Sequence, residues 1–174
     1  GPVNAFEFAQ PEKFAESTVA LVDIGFRSSS ITILNKGELM LTRVVGIGGD
    51  RLTSGVAETL GIGYAEAEGI KLGLPQEVES TIVSLLSPLA RELRASIDYF
   101  EHQQDCPVNE VFVSGGSSNS DYLLQFVQTE LVVPCVTWNP AAFLALNLPA
   151  QKLSELEQTA PRLTTAIGAA LAAL

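Results

Sequence analysis

Three stretches of this chain carry residue types that handle phosphate and metal. The first is TVALVDIG, an apolar run that ends in Asp23 and Gly25 and is followed by Ser28 and Ser29. The second opens with Gly48-Gly49-Asp50, continues to Thr53, and later presents Ala67-Glu68 followed by Lys71. The third is VFVSGGSSN, with Gly115, Gly116 and Ser117 after an apolar run. A carboxylate at a strand end can hold a divalent cation, and turn N–H groups and hydroxyls donate to phosphate oxygens. Adjacent glycines let the backbone approach a ligand closely. Each stretch alone is ordinary: a strand-to-turn junction, a loop, or a surface Glu–Lys pair worth on the order of a few tenths of a kcal/mol. What gives them weight is their order, each placed at the right kind of element.

The elements that must position them follow from hydropathy. TVALVDIG is nearly continuous in apolar residues, as a strand covered on both faces is. SITIL alternates, and Asn35-Lys36-Gly37-Glu38 is a turn leading to LMLTRVV. Asp50 is expected to cap a helix carrying Leu52, Val56, Ala57 and Leu60, and a second helix fits Tyr64 to Leu72. A long amphipathic helix carries Ile82, Leu85, Leu86, Leu89, Leu93, Ile97 and Phe100, with Pro88 expected to kink it or mark its start. EVFVSGG reads as a strand, then comes a helix capped near Ser118 or Asn119 with Leu123, Leu124, Val127 and Leu131 inward. VVPCVTW reads as a further strand, and LTTAIGAALAAL closes the chain as a helix.

Three hairpin-linked strands, then two reached by helical crossovers, give an α/β fold: a mixed five-stranded sheet with flanking helices. That is the layout of a ribonuclease-H-like, or actin-like, half-domain. The crossover between the third and fourth strands is too long for one helix, so residues 50–109 are expected to include an inserted helical subdomain. Residues 1–2, Gly-Pro, look like a tag-removal scar. Residues 3–17 show no clean period and are expected to form an approach segment to a domain spanning 18–174. In an actin-like domain the first hairpin presents N–H groups to nucleotide phosphates. In such a domain Asp23 is expected to hold magnesium through water, Ser28 and Ser29 to add hydroxyl donors, and Gly115-Gly116 to let adenosine lie against the backbone.

Composition excludes other classes. A net charge of −10 leaves no clustered Lys and Arg for a nucleic-acid groove, nor a polybasic membrane patch. Two cysteines without CxxC and a single histidine, His102, argue against a zinc site or a disulfide framework, so a reduced cytoplasmic setting is expected. No run of about 18 apolar residues exists to span a membrane.

Together, LVDIGFRSSSITIL, GIGGDRLTSGVAETLGIGYAEAEGIKLG, LRASIDYFEHQ, VFVSGGSSN, TWNPAAF and TTAIGAALAAL resemble the C-terminal half of the type IV pilus assembly PilM family, relatives of FtsA among the actin-like ATPases. The resemblance covers about Ser17 to the end. It implies that Asp23, Gly25 and Ser28 face metal and phosphate, that Glu68 and Lys71 reach ribose and adenine, and that Gly115, Gly116 and Ser117 line the nucleoside. It implies ATP and Mg as cofactors of the full-length protein, with ATP acting as a clamp between two domains. It further implies a cytoplasmic scaffold held at the inner membrane by the PilN cytoplasmic tail. Contacts with the assembly ATPase and the platform protein belong to the same expectation, while self-association of this half is left open by the sequence.

Two departures qualify this. Phe26 and Arg27 stand where many actin-like proteins have small residues. Phe26 could narrow the phosphate approach or point into the core, and Arg27 could meet phosphate or simply be solvated. The family's first phosphate motif, and the domain carrying it, are absent from this sequence, so the chain is expected neither to hydrolyse ATP nor to bind it strongly alone. The alternatives are an interaction module with a degraded nucleotide site, like the GspL secretion scaffold, and an FtsA-like cell-division protein.

Overall fold

The computed structural model describes residues 1–73, 78–118 and 120–173, without the side chains of Leu72 and Ala150. Five strands form one sheet: β1 (Thr18–Ile24), β2 (Ser29–Asn35), β3 (Glu38–Val45), β4 (Glu110–Ser114) and β5 (Cys135–Thr137), in the order β3-β2-β1-β4-β5. β1 runs antiparallel to β2 and parallel to β4, so the sheet is mixed, as its connections require. Lys36 and Gly37 both take positive φ, 49° and 81°, which gives the two-residue turn whose twist matches the flanking strands.

β1 is apolar from Val19 to Val22 because both its faces are covered. Ala20, Val22 and Ile24 join a large core against α3 (Gly49–Leu60), α5 (Glu79–Gln104) and α6 (Asp121–Leu131). Val19 and Leu21 point the other way, into a smaller core with Phe6, Phe112 and Trp138. The crossover from β3 to β4 holds α3, α4 (Tyr64–Gly73) and the 26-residue α5. Pro88 lies inside α5 and does not start it. On α5, Ile82, Leu86, Leu89, Leu93, Ile97 and Phe100 are buried, and Leu85 packs at the rim.

Several local expectations need correction. Residues 3–17 fall in two short helices, α1 (Pro2–Ala9) and α2 (Pro11–Glu16), and Ala5 and Phe6 of α1 are fully buried. Eight and six residues are too few to display a helical period. Gly48, with no side-chain cap, precedes α3, and Asp50 sits in its first turn. Ser120 caps α6, accepting a 3.3 Å hydrogen bond from Leu123 N. Ser118 instead donates to Gly115 O at 2.8 Å, and Asn119 lies outside the described residues. Only three residues of VVPCVTW pair as strand. A polar helix absent from the sequence reading, α7 (Ala150–Thr159), precedes a 3-10 turn (Ala160–Leu163) and α8 (Thr164–Leu171). Burial pushes the Cys135 thiol up to about 12, so it is an unreactive hydrophobe.

Candidate functional site

The ends of β1 and β4 point the same way, because the two strands are parallel and Asp23 pairs with Ser114. Their following loops open a cleft of about 450 Å³. Seven of the nine residues singled out in the sequence line it: Asp23, Gly25, Glu68, Lys71, Gly115, Gly116 and Ser117. Ser28 and Ser29 do not. Ser28 is exposed, and its carbonyl accepts from Gly25 N at 3.0 Å to close the turn. Ser29 is buried and donates its hydroxyl to Ile47 O at 2.7 Å, which ties β2 to the loop before α3. The strand alternation that begins at Ser29 turns that side chain inward.

The turn after β1 and the start of α3 are joined through backbone. Gly49 N donates to Gly25 O and Asp50 N to Phe26 O, each at 2.9 Å. A Cβ on Gly48 would stand 2.4 Å from Phe26 O, so only glycine permits this approach. Gly115 is constrained twice. Its φ is +100°, and a Cβ there would lie 2.3 Å from Ile24 O and 2.8 Å from Asp23 Oδ1. Asp23 accepts hydrogen bonds from Ser114 Oγ at 3.1 Å and Thr165 Oγ1 at 3.4 Å. Its carboxylate is therefore held at the cleft by hydroxyls from β4 and α8.

The opposite wall is α4 packed on α3. Lys71 Nζ donates to Glu68 Oε2 at 2.6 Å and to Thr53 Oγ1 at 2.8 Å, while the Thr53 hydroxyl also bonds Glu68. Thr53 is fully buried, so this hydroxyl fixes both charged groups to the core. Burial would raise the Glu68 carboxyl. The hydrogen bonds from Lys71 and Thr53, and the positive charges of Lys71 and Arg162, outweigh it and hold the group below its ordinary value. Tyr64 donates to Asp50 Oδ1 at 2.9 Å, closing the N-terminal end of the same wall.

Four lining residues were not among the sequence-derived ligands: Phe26, Gly49, Tyr64 and Arg162. Phe26 is 61% exposed, so it faces the cleft mouth and not the core, whereas Arg27 is exposed and off the cleft. Arg162 comes from the 3-10 turn before α8, in PRLTTAIG, where no local pattern marks it. It is brought in because Pro161 O accepts from Gly115 N at 2.9 Å, which docks that turn on the glycine loop.

Comparison with known proteins agrees with this geometry. The chain is similar to a chain of the PilM-PilN type IV pilus biogenesis complex, with a TM-score of 0.81 and 24% identity over 98% of this chain and 49% of that one. An archaeal actin homolog matches with a TM-score of 0.68 and 15% identity over 99% of this chain and 53% of that one. MreB 5 of Spiroplasma citri, bound to AMPPNP, matches with a TM-score of 0.66 and 12% identity over 98% of this chain and 56% of that one. This chain thus spans about half the length of these structures, and the fold it shares with them is actin-like. The family model for type IV pilus assembly protein PilM matches residues 3–174, and the chain belongs to that family.

Proposed function

We propose that this chain is the nucleotide-contacting half of an actin-like assembly protein of the type IV pilus machine. In this reading ATP lies in the cleft and bridges this half to a second one, biasing the angle between them. One observation carries the proposal: the loops after β1 and β4 and the α3–α4 wall converge on one cleft, and Gly115 leaves no room there for a side chain. The nucleotide analogue in the MreB 5 structure supports the ligand class. Asp23 suits magnesium. Among the described residues no three His, Cys, Asp or Glu side chains cluster as a full metal site, and magnesium is commonly held by one carboxylate, water and the ligand's phosphates. When bound, the ion supplies charge neutralisation of the phosphates. Lys71 and Glu68 orient the ribose and base, while Gly25 and Gly116 give their backbones to the ligand.

In this reading a PilN-type cytoplasmic tail anchors the chain at the inner membrane, with other pilus assembly components beyond it; similarity to a chain of the PilM-PilN complex supports the partner class. Among the described residues no helix is long and apolar enough to cross a membrane.

The test is ATP affinity with magnesium, on this chain and on a polypeptide carrying the second half its relatives have, each beside Asp23→Ala. We expect tight binding only in the longer protein, weakened by the substitution. A second reading, an actin-shaped interaction module without nucleotide, draws on exposed Phe26 at the cleft mouth and on the N–H groups of Gly49 and Asp50, already occupied by the turn. ATP binding undetectable in all four proteins would select it.

A further inference from the structure

The cleft holds two cationic side chains, Lys71 and Arg162, and they are not equivalent. Lys71 is largely buried and already committed to Glu68 and Thr53 at 2.6 and 2.8 Å. Its charge is therefore balanced within the protein before any ligand arrives. Arg162 is exposed, and among the described residues no ion pair holds its guanidinium. Its backbone is fixed: Pro161 O accepts from Gly115 N, the Thr164 hydroxyl donates to Pro161 O at 3.0 Å, and Thr165 reaches Asp23. A fixed base thus presents an exposed guanidinium in the cleft, near enough to α4 for its charge to help lower the Glu68 carboxyl.

We propose that Arg162 is the cation of this cleft that contacts the ligand's phosphates, with Lys71 holding Glu68 in place. The assignment rests on the nucleotide reading above for the identity of the ligand, but not for its charge. A guanidinium is always charged and matches phosphate oxygens two at a time, so its contribution belongs to the anionic part of the ligand. The cleft lining otherwise offsets Lys71 with Glu68 and leaves Asp23 unmatched. Without Arg162 a phosphate brought next to Asp23 would meet net negative charge until a metal ion joined it.

The experiment compares wild type, Arg162→Gln and Arg162→Lys in the polypeptide carrying both halves, with three probes: pyrophosphate, ADP and adenosine. Arg162→Gln is expected to weaken pyrophosphate and ADP by roughly tenfold or more and to leave adenosine unchanged, with Arg162→Lys recovering part of the loss. Because the side chain is exposed, the thermal midpoint of both variants should match wild type. Unchanged affinity for all probes overturns the assignment, and so does an equal loss for adenosine, which would mean Arg162 acts on the base or on the loop. Arg162-dependent pyrophosphate binding without any nucleotide binding would sink the nucleotide reading and uphold the Arg162 assignment. ADP binding that ignores Arg162 would do the reverse. Wild type that takes up none of the probes overturns both.

Discussion

Gly115 and Glu68 show how single residues set the cleft. Gly115 combines a left-handed backbone with contact distances that no Cβ could keep, so Gly115→Ala should cost about 2 kcal/mol or more in urea unfolding. It should also displace Asp23, the side chain it touches, and weaken ATP binding in the longer protein. Glu68 makes a prediction about pH. Its carboxyl is held below the ordinary 4.5, so the stability it contributes is fully present above that pH. That contribution is lost as pH falls through the lowered value. Lys71→Met removes the foremost of the lowering hydrogen bonds, together with the Lys71 charge. In that variant NMR should place the Glu68 titration higher, and the fall of stability below pH 4.5 should be shallower. A Glu68 titration that does not move would mean that Thr53 and Arg162 suffice. These residues were legible in sequence as members of a motif order, because each motif is local. Arg162 was not, because its relevance arises from a turn docking on Gly115 across the fold.

At the level of elements, α1 departs most from the sequence reading. It was expected as an approach segment, yet Phe6 is fully buried with its ring edge-on to Phe112 and Trp138, at 4.7 and 5.3 Å between centroids. Phe6→Ala should therefore destabilise the domain by about 3–5 kcal/mol, as aromatic truncations in a packed core do. A loss below about 1 kcal/mol would show α1 to be a detachable arm. The smaller core is where sequence reading falls short. Its members come from both ends of the chain and from alternate positions on β1, β2 and β4, so no window of sequence contains it. The larger core was easier to see, since the stripe on α5 supplies six of its buried residues in one continuous pattern. α7 was missed for the opposite reason: its ten residues are mostly polar and few are packed inward.

For the whole molecule, the proposed function makes the cleft one wall of a two-part site. Its lining comes from the loops after β1 and β4, from α4 and from the turn before α8, and the structures it matches are about twice as long. A ligand there would be covered on the side formed by α3, α4 and the glycine loop. Burial of its remaining surface requires further protein, which is why the clamp reading assigns strong binding to both halves together. The excess of acidic residues, giving −10, works in the same direction. In the proposed reading an anionic ligand is disfavoured by the general field and would be recruited by local groups: oriented N–H donors, a metal ion at Asp23, and Arg162.

By itself the sequence determined the actin-like sheet, the family and seven residues of the cleft, because strand and helix periods and glycine turns are properties of short windows. Tertiary structure alone decided which hydroxyls are available. Ser29, expected from sequence to offer its hydroxyl to phosphate, is drawn inward by the pleat of β2 and donates to Ile47 O, while Thr165, far along the chain, reaches Asp23. It also decided that Lys71 is held in an ion pair and that, among the described residues, Arg162 is not. Charge pairing depends on distances across elements, and no spacing along the chain encodes them.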